Sequence, residues 1–179
     1  MSLLAGLAQA AAEEAAKLVA EFAADRLKRD GETEVECALC DPTEEAGVHP
    51  VARSRDWRVV RVLDNADHPA FWRVIWNGHA AEMTDLEPMQ RSALMQTVCK
   101  VEAVVRRELQ PHKINLASLG NVVPHLHWHV VARWVDDPHF PQPIWGDRQR
   151  EASPAHRMRL EVDLPRVDRA IQAALMSRD

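Results

Sequence analysis

Three histidines alternate with apolar residues in the segment His125-Leu-His-Trp-His-Val-Val131. Because side chains of a β-strand point alternately to its two faces, a strand here would present His125, His127 and His129 on one face. Leu126, Trp128 and Val130 would point the other way. Clustered imidazoles can ligate a metal ion or carry out nucleophilic and acid/base chemistry near neutral pH. The triplet is therefore the candidate active centre.

Two cysteines form a second group with possible chemistry. The spacing of Cys37 and Cys40 allows both thiolates to bind one Zn²⁺, but a closed zinc site needs four ligands, so two must come from elsewhere in the chain. Reduced packing cysteines and a redox pair are the other interpretations of this spacing. Cys99 falls within an apolar helical pattern and is predicted to lie in the core.

The histidine segment must be held by a sheet, and the sequence predicts four strands. Their β-branched content and bounding turn residues place them at Trp57–Leu63, Phe71–Trp76, Ile114–Ser118 and His125–Trp134. The segments Cys40–Pro50 and Asp136–Gly146 are predicted to be loops.

Apolar residues at helical spacing predict three helices. The longest is predicted to begin at a capping box of Thr84 and Glu87 and to end before Pro111, with Leu86 and Met89 at the start of its buried stripe. An amphipathic helix is predicted within residues 3–28, and a last helix near Asp163–Ser177.

Composition limits the classes of function. A chain of 179 residues accommodates one core and an appendage, and 46% hydrophobic with 27% charged residues is typical of a globular protein. A net charge of -5 argues against nucleic acid as the main partner. The sequence has no apolar run long enough to span a membrane and a poor signal peptide, and its cysteine usage suits a reducing compartment. We therefore expect a cytoplasmic protein that binds neither nucleic acid nor membranes.

The histidine segment resembles the signature of the histidine-triad family, His-φ-His-φ-His-φ-φ with φ apolar, and all seven positions fit. The resemblance extends to Cys37–Cys40, Val74–His79, Met83–Leu86 and Asn115–Arg133. It implies an α+β fold in which an antiparallel sheet of about five strands carries a long helix, with two chains joined as a homodimer. The resemblance covers most of residues 37–146, which we take as the histidine-triad domain, and the helix before Cys37 lies outside it. With the helices predicted from the residue pattern, the expected organisation is an N-terminal helical extension at residues 1–30, this domain, and a C-terminal segment with a helix at 147–179.

What the resemblance implies about activity is a hydrolase that cleaves nucleotides at phosphorus. The middle histidine, His127, would attack the phosphorus atom and form a covalent nucleotidyl-histidine, with His125 and His129 assisting it. By the same resemblance, Asn115 and Asn121 would bind the phosphate and Asp64 the ribose hydroxyls. No organic cofactor is implied.

Some members of the family carry a structural zinc ion, and this chain has residues at the corresponding positions. The implied ligands are Cys37, Cys40, His79 and His125.

One position departs from the family pattern. Many members have Gly-Gln-Ser or Gly-Gln-Thr before the triad, and the hydroxyl can assist the leaving group, whereas this chain has Gly120-Asn-Val122. Valine has no donor, which argues against the usual phosphoramidate cleavage and leaves ester or anhydride cleavage open. Three alternatives remain: a nucleotidyltransferase or phosphorylase, a catalytically weak nucleotide-binding scaffold, and an enzyme with a metal ion on the triad.

Overall fold

In the computed structural model, residues 37–41 and 46–177 are described. The helix predicted within residues 3–28 lies outside these residues. Five strands and two α-helices make up the described chain: β1 (Val48–Arg53), β2 (Trp57–Val62), β3 (Phe71–Trp76), α1 (Pro88–Leu109), β4 (Lys113–Ala117), β5 (His127–Arg133) and α2 (Pro154–Met176). A 3-10 turn at Met83–Asp85 precedes α1.

The five strands form one antiparallel sheet in the order β1-β2-β3-β5-β4. This confirms the predicted α+β fold with a five-stranded antiparallel sheet. The pairing of β3 with β5 places Ile75 opposite His127 and Arg73 opposite His129. The histidine strand is therefore an inner strand, supported on both sides by β3 and β4.

Alternation along the strands separates two faces of the sheet. One face, called the helix face, carries Trp72 and Val74 of β3 and Val130 and Ala132 of β5, and both helices contribute to its core. Helix α1 contributes Leu94, Val98, Val101 and Val105 to this core, and α2 contributes Leu160, Leu164, Val167 and Ile171. The opposite face, called the histidine face, carries His127, His129 and a smaller apolar cluster of Val62, Phe71, Val131 and Ile144.

The first helix begins later than predicted, and the Thr84–Glu87 capping box is wrong. Thr84 lies in the separate 3-10 turn, while Glu87 is the N-cap of α1 and exchanges capping hydrogen bonds with Gln90. Glu87 is extended, with φ −62° and ψ 152°, because Pro88 disfavours the helical conformation in the residue before it. The predicted helical stripe fails at this end: Leu86 is buried but precedes the helix, and Met89 is 85% exposed.

Other boundaries also differ from prediction. Part of the loop predicted at Cys40–Pro50 is the edge strand β1, where Pro50 is tolerated beside a β-bulge because an edge position does not need every backbone N–H. Helix α2 begins at Pro154, where Ser153 caps it, and continues through Pro165. Cys99 is exposed on α1 and does not lie in the core. No helix in residues 37–41 or 46–177 has the length and apolar character needed to cross a membrane.

Candidate functional site

His127 is the first residue of β5, and its side chain is held in one orientation. The ring lies on the histidine face with 8% of the residue exposed, and its Nδ1 is 2.6 Å from the backbone carbonyl of His125. A carbonyl oxygen only accepts hydrogen bonds, so Nδ1 must carry the proton and donate. In the neutral imidazole the lone pair is then on Nε2, so Nε2 is the atom that can act as a nucleophile.

His129 lies beside it, one step along the same face. The two rings are 4.7 Å apart between centroids and packed edge to face. Phe71 lies 5.3 Å from the His129 ring and Trp145 lies 5.1 Å from it, again between centroids. The Nδ1 of His129 is buried and has no hydrogen-bond partner within residues 37–41 and 46–177. One side of the candidate centre is therefore walled by aromatic rings.

Burial keeps both imidazoles neutral. It lowers the pKa of His127, an effect that the hydrogen bond to the His125 carbonyl opposes and the nearby Arg73 guanidinium reinforces. Burial, followed by the charges of His127 and Arg73, lowers the pKa of His129 to about 3. Both rings are then neutral at neutral pH, and in this form Nε2 of His127 has a free lone pair and can act as a nucleophile.

His125 differs from the other two histidines. It precedes β5, so strand alternation accounts for the placement of His127 and His129 only. Its fully buried ring donates from Nε2 to the carbonyl of Trp76 at 2.7 Å and turns Nδ1 toward Cys37 and Cys40. The backbone carbonyl of His125 orients His127, while the side chain belongs to another group of residues.

That group, called the cysteine-histidine cluster, consists of Cys37, Cys40, His79 and His125. Their ligand atoms all lie within 4.8 Å of one another. The Nδ1 of His125 is 3.3 Å from the Cys37 sulfur and 3.6 Å from the Cys40 sulfur, and the Nδ1 of His79 is 3.3 Å from the Cys40 sulfur. Nitrogen and sulfur ligands of a tetrahedral Zn²⁺ ion are roughly 3.5 Å apart, given the usual bond lengths. Two sulfur and two imidazole donors at these separations fit zinc.

The surroundings of the cluster support the same fit. Burial, and then a hydrogen bond with Cys37, raises the pKa of the Cys40 thiol, so a bound cation would favour the thiolate that the protein alone disfavours. The hydrogen bond from His125 Nε2 to a backbone carbonyl leaves Nδ1 as the ligand atom, an outer contact that is common for metal-bound histidine. Arg58, almost fully buried, donates to the carbonyl of Leu39 at 2.8 Å and to Asn77 Oδ1 at 3.3 Å. It thereby links the cysteine turn to the loop that carries His79.

Of the predicted substrate-binding residues, Asn115 lies in the sheet, whereas Asp64 and Asn121 lie in exposed loops. Asn115 is paired with Val131 and so lies on the histidine face, where its Oδ1 accepts a hydrogen bond from Arg133 at 2.6 Å. A contact from Asn115 to a phosphate would therefore use its NH₂ group, which is a donor. Asp64 is exposed just beyond β2, next to Gly47, and Asn121 is exposed in the connection between β4 and β5. Among the described residues, neither one hydrogen-bonds to a triad histidine.

A proline-rich loop borders the histidine face, and sequence reasoning did not find its anchor. Asp137 accepts hydrogen bonds from Arg133 Nε at 2.7 Å and Nη2 at 3.0 Å, and from the backbone N–H groups of His139 and Phe140. Both charged groups are nearly buried. This ion pair holds the loop whose residue Trp145 contacts His129. The pairing of an arginine at the end of β5 with an aspartate four residues later was the only sequence signal available.

Arg73 is a second residue that sequence reasoning missed. It lies directly opposite His129 on β3, and its charge lowers the pKa of both strand histidines. The charge is visible in the sequence, but its position beside the triad depends on the pairing of two strands that are far apart in the chain.

The HIT domain family matches residues 51–135. The AP-4-A phosphorylase of Mycobacterium tuberculosis (strain ATCC 25618 / H37Rv) is 29% identical over 87 residues, and the match covers 45% of this chain and 45% of that protein. The chain thus spans less than half the length of this curated relative.

Solved structures show the same likeness. A histidine triad protein from Bradyrhizobium japonicum is 25% identical with a TM-score of 0.58, and the match covers 73% of this chain and 94% of that one. A Zn-bound histidine triad family protein from Mycobacterium smegmatis is 18% identical with a TM-score of 0.50, covering 80% of this chain and 95% of that one. At 18% identity the second likeness concerns the fold alone.

Proposed function

This chain belongs to the histidine-triad family, and on that premise we propose that it hydrolyses nucleotides through a covalent intermediate on His127. The observation that carries this proposal is the 2.6 Å hydrogen bond from Nδ1 of His127 to the His125 carbonyl, which leaves the Nε2 lone pair for attack. The substrate class is a nucleoside phosphate ester, anhydride or phosphoramidate, with the domain at residues 37–146 as the catalytic unit.

The first step forms the bond between Nε2 of His127 and the α-phosphorus and breaks the bond from phosphorus to the leaving group. The Nδ1 proton stays on the ring, and the His125 carbonyl stabilises the positive charge that the ring acquires. Water then attacks phosphorus and loses a proton to the solvent, and the bond between phosphorus and Nε2 breaks. A nucleoside monophosphate leaves, and His127 returns to its neutral form. Two displacements of moderate difficulty replace one that is harder.

His129 and Asn115 have supporting roles in this proposal. The buried Nδ1 of His129, which lacks a hydrogen-bond partner within the described residues, suits a contact with substrate, and its ring packs against that of His127. The NH₂ group of Asn115 would donate to a phosphate oxygen. Asn121 and Asp64 remain proposed contacts to phosphate and ribose, and they would have to approach from exposed loops.

The direct test is mass spectrometry of the intact protein after rapid mixing with adenylylated and guanylylated compounds. A mass increase of one nucleotidyl group, absent from His127→Ala, is expected. Turnover by the wild-type protein without any such adduct would contradict covalent catalysis.

A second candidate activity is phosphorolysis, which the likeness to an AP-4-A phosphorylase favours. Inorganic phosphate would then replace water in the second step, so the product from the nucleotidyl group would be a nucleoside diphosphate. Product analysis with and without added phosphate separates the two activities, since hydrolysis gives the monophosphate in both conditions.

We also propose that the cysteine-histidine cluster binds a structural Zn²⁺ ion that ties the segment at Cys37 to the residues just before β5. The donor set and the 3.3 Å contacts support it, as does the existence of a Zn-bound protein of the same fold. In this role the ion stabilises the approach to the catalytic strand and takes no part in the chemistry.

Finally, we propose a symmetric homodimer joined through the edge of the sheet. Pro50 and a bulge obstruct pairing along β1, whereas β4 forms the other edge and has the exposed Leu116. Pairing of two β4 edges would satisfy their backbone groups and cover this leucine. Light scattering at micromolar concentration should give twice the chain mass, and a monomer would contradict the proposal.

A further inference from the structure

Strands β2 to β5 each place one cationic side chain on the histidine face. By register and alternation, Arg58, Arg73, Lys113 and Arg133 all point to this face from strands β2 to β5, and no carboxylate of these strands joins them. Two of these cations have partners: Arg58 donates to Leu39 and Asn77, and Arg133 is paired with Asp137. The positive charge nearest the two strand histidines is that of Arg73, since it pairs directly with His129.

Among the described residues, Arg73 has no polar contact that would explain its position. Its guanidinium carbon lies 5.6 Å from the centre of the Phe71 ring, a contact that supplies no hydrogen-bond acceptor. The Nε atom is buried, and neither it nor the rest of the guanidinium has a hydrogen-bond or ion-pair partner within residues 37–41 and 46–177. A buried donor without an acceptor is costly unless a ligand satisfies it.

The position where the family usually supplies a hydroxyl donor cannot help here. Val122 carries no donor and is 93% exposed, in the connection between β4 and β5. Charge stabilisation of a phosphate beside His127 must therefore come from other residues. A guanidinium presents several N–H donors in a plane that matches two phosphate oxygens.

We propose that Arg73 is a phosphate-binding residue, which holds the non-bridging oxygens of the phosphate group that His127 attacks. This inference rests on the proposed function for the identity of the substrate, but the anion site itself depends only on the placement of Arg73. Charge that accumulates on those oxygens during attack is then met by a fixed cation with two hydrogen-bond donors.

The test uses the full chain and two variants that remove the charge, Arg73→Met and Arg73→Gln, so that one folded neutral variant is enough. Arg73→Lys keeps the charge without the paired donors. Arg169→Met is the matched control, because Arg169 is an exposed arginine on α2, which packs on the opposite face of the sheet. Thermal melting of each protein verifies the fold before binding is measured.

The probes are inorganic phosphate, AMP and adenosine, with dissociation constants from NMR titration of the histidine ring signals. Loss of the charged donor pair should weaken phosphate and AMP binding about tenfold or more, while adenosine binding stays within about twofold. Arg73→Lys should fall between the neutral variants and wild type, and Arg169→Met should match wild type.

Two outcomes would overturn the inference about Arg73. One is phosphate affinity that is equal in wild type and the neutral variants, or absent from wild type. The other is an equal loss of AMP and adenosine affinity, which would indicate a distorted pocket instead of a lost charge. A different result, phosphate binding that depends on Arg73 in a protein that binds neither AMP nor adenosine, would contradict the proposed nucleotide function and leave the anion site intact.

Discussion

Two clusters of imidazoles meet at His125, and they differ in where their hydrogen-bonding atoms point. In the cysteine-histidine cluster, four ligand atoms turn toward one another within 4.8 Å. On the histidine face, Nδ1 of His129 and Nε of Arg73 are buried without partners within the described residues. Ligand atoms that converge on one point suit a structural metal ion, whereas hydrogen-bonding atoms without a protein partner suit a substrate.

The two clusters share one residue through different atoms. The carbonyl of His125 orients His127, and the ring of His125 completes the cysteine-histidine cluster. A substitution of the His125 side chain therefore leaves the backbone contact to His127 available. This separation makes the assignment of the two clusters testable.

The largest effect is expected at His127, because it provides the proposed nucleophile. His127→Ala should lower turnover roughly 10⁴-fold or more and abolish the nucleotidyl adduct, as for other enzymes that lose a nucleophile. Steady-state kinetics and intact-protein mass measure this. His112→Ala, at an exposed histidine after α1, is the control and should keep full activity. Near wild-type turnover by His127→Ala would require the triad to be reassigned to binding or metal ligation.

Removal of metal should affect stability next most strongly. If zinc links Cys37 and Cys40 to the two histidines, a chelator should lower the Tm by roughly 5–10 °C, the shift expected for a few kcal/mol in a chain of this size. Calorimetry and metal analysis measure the two effects. Cys37→Ser should lose the metal, while Cys99→Ser should keep it, because Cys99 is exposed on α1. An unchanged Tm after chelation would make the cysteines ordinary packing residues.

A comparison of the outer triad histidines should separate the two clusters directly. His129→Ala should lower turnover about 10²-fold with a small change in Tm, since it removes a supporting group on the histidine face. His125→Ala should instead lower metal content and Tm, because its ring is a ligand. Turnover, metal content and Tm measured on both variants test this, and the same pattern in both would refute the division.

The smallest effect is expected on stability at acid pH, where Asp137 becomes protonated. This residue anchors the loop that carries Trp145. Burial alone would raise the pKa of Asp137, but hydrogen bonds from Arg133 and from the N–H groups of His139 and Phe140 lower it below its usual value of 3.8. A depressed pKa means that the carboxylate stabilises the fold above pH 3.8, and that this contribution is lost as the pH falls through the lower folded value.

Urea unfolding between pH 5 and about 2 should therefore show an acid-dependent loss that is smaller in Asp137→Asn, which has no carboxylate to protonate. Asp67→Asn, which removes an aspartate that is paired at the surface with Arg148, is the comparison. Identical pH profiles for wild type and Asp137→Asn would contradict the assignment of this stabilisation to Asp137.

Much of the fold was predictable because its signals are local. The alternation at Phe71–Trp76 and at His127–Arg133, and the helical stripe ending at Leu109, correspond closely to the observed elements. Strand β1 was missed because Pro50 interrupts its pattern, and an edge strand tolerates proline only through its position in the sheet. The start of α2 was missed for a similar reason, since Pro165 lies inside a helix that packing against the core maintains.

The sequence by itself identified the candidate site residues, which are three alternating histidines and a cysteine pair, and it predicted a sheet with a long helix. The periods of two residues along a strand and 3.6 along a helix can be recognised from residues that are close together in the chain. These elements can therefore be predicted without knowledge of distant contacts. That the His125 ring joins Cys37 and Cys40 was expected from the family resemblance and not from the local pattern, whereas only the tertiary structure decided that Arg73 lies beside His129. Those contacts depend on strand register and on segments more than fifty residues apart, which the local pattern of side chains does not specify.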